Sequence, residues 1–136
     1  MEEVALADCA VDVEGCDLGD LFETAAAALV RLMVDPATVL LTVERAVELE
    51  ADALDLLLYD WLSDLIFLKD RDRQVCPHCQ VRVGGEGPFH LKAQLRGGVI
   101  DPERTALGAD PKAVTFHQFV LAPVAEGWRA RLVIDI

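Results

Sequence analysis

The sequence predicts an α+β fold, a two-layer sandwich in which two helices pack on one face of a mixed β-sheet, in the order βαβαββββ. Three observations lead there. Two segments carry apolar residues at helical spacing, strand-like period-two runs precede and separate them, and the second half holds four such runs with no helical segment between them. With 136 residues and 53% hydrophobic content the chain is the size of one domain, residues 1–136.

The first strand spans about residues 4–14. Ala5, Ala7, Cys9, Val11 and Val13 share one parity, and Asp8, Asp12 and Glu14 take the other. Asp17 is a suitable N-cap for a helix whose stripe is Leu18, Leu21, Phe22, Ala25, Leu29, Leu32 and Met33, ending at Asp35-Pro36. Period two returns over 38–49, with Val39, Leu41, Val43, Val47 and Leu49 inward. Asp52 then caps a second helix, whose Leu54, Leu57, Leu58, Trp61, Leu62, Leu65 and Ile66 need a sheet to cover them.

A strand at about 80–84 and the turn Gly84-Gly85-Glu86-Gly87-Pro88 lead into Phe89, Leu91, Ala93 and Leu95, which alternate with His90, Lys92, Gln94 and Arg96 as in a hairpin. A loop from Gly97 to Pro111 is long enough to suggest a functional role. Strands Ala113 to Leu121 and Trp128 to Ile136 complete the chain, the last placing Ala130, Leu132, Ile134 and Ile136 inward and Arg129, Arg131, Val133 and Asp135 outward. Burial of Ile136 would anchor the chain end.

Charge narrows the function. Twelve Lys and Arg stand against 24 Asp and Glu, a net charge of -12, which disfavours direct nucleic-acid binding and favours a basic protein or a cation as partner. No apolar run suits a membrane span, and the opening Met-Glu-Glu has no basic flank with a long apolar stretch, so a cytoplasmic location is expected. Cys9, Cys16, Cys76 and Cys79 read as thiols rather than a disulfide framework. Cys76-Pro77-His78-Cys79 invites a zinc reading, but one Cys-x-x-Cys lacks a second ligand pair unless His78 and a distant His90 or Cys16 converge, and an ordinary thiol-bearing loop before a strand is the favoured expectation.

Asp12 shares the outward parity of Asp135. If the first and last strands lie close, Asp12, Asp135 and the terminal carboxylate of Ile136 form an oxygen cluster of the kind hard cations seek. The plainer alternative is an ion pair between Asp135 and Arg131, four residues away on the same face.

Several separated segments are together similar to one family. They are Asp12, "LMVDP" at 32–36, "LLYDWLSDLIFL" at 57–68, "DPKAVTFH" at 110–117 and "GWRARLVIDI" at 127–136. In order and spacing they resemble the archease family over nearly the whole chain. The resemblance implies a non-enzymatic protein cofactor of the RtcB-type RNA-splicing ligase, which joins tRNA halves using GTP and divalent metal; archeases promote its guanylylation and multiple turnover. It also implies a metal site, calcium being the family's ion, at Asp12, Asp135 and Ile136. Lys112, Thr115 and His117, in the other well-matched segment, are candidate contacts to the ligase or its nucleotide, and equally suit a solvated lysine and a packed histidine at a sheet edge.

The sequence departs from the family at its opening His-Thr-Ala-Asp, matched to Cys9-Ala10-Val11-Asp12, and at an Arg-His pair that here reads Arg104-Thr105. Two other functions stay open: a chaperone or assembly modulator of a tRNA cytosine-5 methyltransferase, also proposed within the family, and a small metal-dependent hydrolase. The second lacks a visible nucleophile and base or a Gly-rich phosphate loop.

Overall fold

The computed structural model describes residues 8–136, apart from the side chains of Asp8 and of 116–118. The elements follow in chain order: β1 (Asp8–Gly15), α1 (Leu18–Met33), a 3-10 turn (Pro36–Thr38), β2 (Val43–Ala51), α2 (Leu54–Asp72), β3 (Gln74–Gly85), β4 (Phe89–Val99), β5 (Ala113–Val124) and β6 (Gly127–Asp135). The α+β class and the order βαβαββββ are those expected. Residues 4–7 of the expected first strand lie outside the described residues.

The expected single mixed sheet is instead two three-stranded antiparallel sheets, β1-β6-β5 and β2-β4-β3. The physical reason lies in the connections. A helix between two strands suggests parallel neighbours, but β1 and β2 enter different sheets, and β4 inserts between β2 and β3. That second unit is a split βαβ, whose outer strands run parallel to each other while every hydrogen-bonded pair is antiparallel.

Each sheet turns one face to the helices. Val13, Val114, Ala130, Leu132 and Ile134 come from the first sheet and Val81, Leu91, Ala93 and Leu95 from the second, all buried against Leu21, Phe22, Leu29, Leu57, Leu58 and Leu62. Trp61 is fully buried, and its indole N–H donates to the Phe22 carbonyl at 3.0 Å, tying α2 to α1 without leaving a polar atom unpaired.

Asp17 caps α1, accepting from the Asp20 N–H. The N-cap of α2 is Ala53, which supplies no side-chain cap, so Asp52 does not play the expected part, although Asp55 in the first turn suits the helix dipole. β2 starts at Val43 because Asp35 accepts from the Ala37 N–H at 3.1 Å and folds Pro36–Thr38 into a turn; Leu40 and Leu41 of the expected strand are exposed. β3 reaches back to Gln74 and contains the Cys-Pro-His-Cys segment expected in a loop. Proline is tolerated there because β3 is an edge strand and its pairing is irregular between Val75 and His78.

β4 continues through Gly97 and Gly98 to Val99, where a loop was expected. Glycine is required at 98, because a Cβ there would lie 1.9 Å from the Leu40 carbonyl oxygen. The remaining connection, 100–112, is stitched down. The Thr105 hydroxyl accepts from the Asp101 N–H at 3.0 Å, and the Gly108 and Ala109 N–H groups donate to Met33 and Leu32 carbonyls at 2.7 Å.

Candidate functional site

β6 is the central strand of the first sheet, so its last residue has a neighbour on each side. Asp135 stands opposite Asp8 of β1 and opposite Ala113 of β5. Its carbonyl accepts the Lys112 N–H at 2.7 Å, which closes the ladder at this end. Ile136 follows and is half-buried, less enclosed than expected, while Ile134 is buried at 1% exposure and does most of the anchoring. Val133, expected outward, is also buried.

Asp12 does not join this group. The register sets it opposite Arg131, and its carboxylate accepts from the Arg131 guanidinium at 3.0 Å. Arg131 and Asp135 are four steps apart along β6, on the order of 13 Å of ladder. The alternative pairing of Arg131 with Asp135 is also not what forms, because the residue directly across an antiparallel ladder is far closer than one four positions along the strand.

The residue that the register sets opposite Asp135 is Asp8, which the sequence reading did not include among the candidates. A signal was available: Ala7-Asp8 reproduces the Ala-Asp ending of the family's His-Thr-Ala-Asp, which Val11-Asp12 does not. Setting the motif four residues earlier keeps the strand parity, which is why parity alone did not separate the two registers. An aspartate directly opposite an aspartate is a like-charge ladder position, unfavourable without a counter-charge. The backbone register thus brings Asp8, not Asp12, to the position across from Asp135, whereas the Asp12 carboxylate already has its counter-charge in Arg131.

Lys112 is exposed at the start of the β5 side of this tip, adjacent to Asp135 through its backbone. Thr115 is half-buried, opposite Val133 and two residues further from the tip. His117 belongs to β5, but its side chain lies outside the described residues. Thr105 is buried at 6% and spends its hydroxyl on the Asp101 turn, a loop-closing role that needs no imidazole.

The segment 110–112 is held from below by Lys69, near the C-terminus of α2. Its side chain is only 8% exposed; the ammonium donates to Asp110 and to the Pro111 carbonyl at 2.9 Å, and pairs with Asp70 at 3.0 Å. Hydrogen bonding from Lys69 holds the Asp110 carboxyl below the ordinary carboxylate range.

The cysteine segment behaves as buried thiols. Cys76 is buried and Cys79 half-buried, with the Cys79 Sγ donating to the Cys76 carbonyl at 3.5 Å. Burial pushes both thiols up, Cys79 to about 12, so neither is readily a thiolate ligand. Among the described residues no three His, Cys, Asp or Glu side chains come together as a metal-binding group. A groove of about 820 Å³ runs between α1 and the β2-β4-β3 sheet. Two of its carboxylates are already engaged, Glu23 by the Val81 N–H at 2.8 Å and Asp20 by the Cys16 N–H at 2.9 Å. No helix among the described residues is long and apolar enough to cross a membrane.

Comparison with known proteins gives a consistent result. The Archease protein family (MTH1598/TM1083) matches residues 3–136. A protein archease of Archaeoglobus fulgidus is 33% identical over 130 residues, covering 96% of this chain and 93% of the relative. One from Methanosarcina mazei is 37% identical over 119 residues, covering 86% and 82%. The solution structure of Methanobacterium thermoautotrophicum protein 1598 superposes with a TM-score of 0.79 at 30% identity, covering 96% and 93% of the two chains. The crystal structure of a Thermotoga maritima protein described as an archease and possible chaperone shares the fold, with a TM-score of 0.66 at 21% identity and coverage of 96% and 91%. The chain belongs to the archease family.

Proposed function

We propose that this protein is a non-catalytic cofactor of the RtcB-type RNA-splicing ligase, acting in the cytoplasm to promote the ligase's guanylylation and repeated turnover. The observation that carries the reading is the like-charge pair Asp8 and Asp135, opposite one another at the end of β6 beside Ile136 and Lys112. Asp8, Asp135 and the main-chain oxygens of Ile136 are the residues to hold a divalent cation, with calcium as the family's ion, and that ion would supply positive charge at an otherwise anionic tip. Asp12 is removed from the ligand set and assigned to the Arg131 ion pair.

The chain's own residues do the remaining work. The net charge of -12 steers the molecule toward a positively lined, phosphate-binding partner surface. Lys112, exposed and bonded through its backbone to Asp135, offers an ammonium suited to a nucleotide phosphate or a ligase carboxylate. Thr115 and His117 follow on the same strand as further contacts to that partner. RNA remains with the ligase, since the charge balance disfavours phosphate-backbone binding by this chain.

The test is direct: ligase, GTP and manganese are incubated with RNA halves, and product per ligase molecule is counted with and without this protein. The reading requires turnover to rise above one per ligase only when the protein is present. A chaperone role toward a tRNA cytosine-5 methyltransferase is the second reading, supported by the description of the Thermotoga relative as a possible chaperone and by the exposed apolar side chains of Leu40, Val99 and Leu107. Suppression of methyltransferase aggregation, with no gain in ligase turnover, would favour it.

A further inference from the structure

We propose that Lys69 is a positioning residue for the tip: its buried ammonium fixes the 110–112 segment and thereby sets Lys112 and Asp135 in place. The inference rests on the reading of that tip as the working site. Lys69 continues the inward stripe of α2 at Leu58, Leu62 and Ile66, where a hydrophobic residue is expected.

The geometry accounts for the departure. An ammonium has three protons, and Lys69 directs them to three oxygens: the Asp110 carboxylate, the Pro111 carbonyl at 2.9 Å and the Asp70 carboxylate at 3.0 Å. Pro111 is itself fully buried, so its carbonyl cannot turn to water for a replacement partner. One residue later the Lys112 N–H donates to the Asp135 carbonyl. A chain of two hydrogen bonds thus runs from the end of α2 through the loop into the last residue of β6. Gly108 and Ala109 are sewn to α1 by backbone bonds; over 110–111 the Lys69 side chain ties the loop to α2.

An apolar residue at 69 would fill the space and preserve α2, but it would release the loop just where it meets the tip. Lysine therefore has a role here that packing alone does not require. Asp110, 80% exposed in its side chain, is the partner that can be altered without opening the core.

The experiment compares K69M, K69R and D110N with the unaltered protein by site-resolved amide hydrogen exchange and by terbium titration of the tip. In K69M, protection of the Lys112 amide is expected to fall at least about tenfold while that of Leu62 in the middle of α2 changes little. Terbium binding should weaken by about tenfold with the same plateau, as expected when a binding-competent arrangement is less populated. K69R should restore both within about threefold, and D110N, which keeps the core intact, should show the same losses in smaller measure. Unchanged Lys112 exchange in K69M and D110N overturns the proposal. So does an equal loss at Lys112 and Leu62, which would mark Lys69 as a stability residue only. If the unaltered protein neither binds terbium nor raises ligase turnover, the tip reading fails, and the exchange measurement still decides what Lys69 holds.

Discussion

Replacing Asp12 and Asp135 separately distinguishes the two registers of the acidic site. Asp12 and Arg131 are 56% and 34% exposed in their side chains, so their ion pair contributes at most about 1 kcal/mol. For 136 residues the entropy of unfolding is roughly 0.29 kcal/mol/K, so D12A should lower Tm by no more than about 3 °C without metal. D135A removes one member of a like-charge ladder position and should leave metal-free Tm unchanged or slightly raised. Calcium reverses the order. At about 100 times its dissociation constant a bound ion stabilises by about 2.7 kcal/mol, or roughly 9 °C here. Thermal unfolding with and without calcium should show that increment in D12A and lose it in D8A and D135A. An increment lost in D12A but kept in D8A would refute the register argument.

Two further outcomes follow from the same structure. G98A should cost at least about 2 kcal/mol in denaturant unfolding, because its Cβ would press on the Leu40 carbonyl, a backbone atom that cannot rotate away; a cost below about 0.5 kcal/mol would mean the 39–42 connection yields easily. Cys79 is held protonated by burial, its thiol pushed up to about 12 from 9.0, so the folded protein keeps a proton that the unfolded chain releases. Stability should therefore fall as pH rises from about 9 to about 12, by up to about 1.4 kcal/mol per pH unit from this group; C79A should flatten that decline, and an unaltered slope would show that Cys79 is not its source.

The elements were legible because most of the helices and strands turn one face to the core, so periodicity reports on it, and it fails where both faces are covered, as at Val133 of β6 and Val75-Cys76 of β3. The stripe of Leu57, Leu58, Trp61, Leu62, Leu65 and Ile66 is buried as its spacing implies. Sheet organisation was not legible, since the insertion of β4 between β2 and β3 depends on long-range pairing that leaves the alternation of each strand unchanged. The same insensitivity hid the site. Asp8 and Asp12 share parity, and only the cross-strand register, Asp8 to Asp135 and Asp12 to Arg131, tells them apart. β3 was read too short because Pro77 looks like a strand breaker until β3 is known to lie at an edge. Lys69 was passed over because charge usually marks solvent, and its burial follows from a loop 41 residues away in sequence.

The number of ligation events per ligase molecule, counted with the unaltered protein and with Asp135→Ala at saturating GTP and manganese, tests the central claim most directly. The account predicts repeated turnover with the former and about one event with the latter, while both proteins keep the same far-UV spectrum and metal-free Tm within about 3 °C. Equal turnover with the two proteins would contradict the acidic tip, and turnover limited to one event in both would contradict the cofactor role itself.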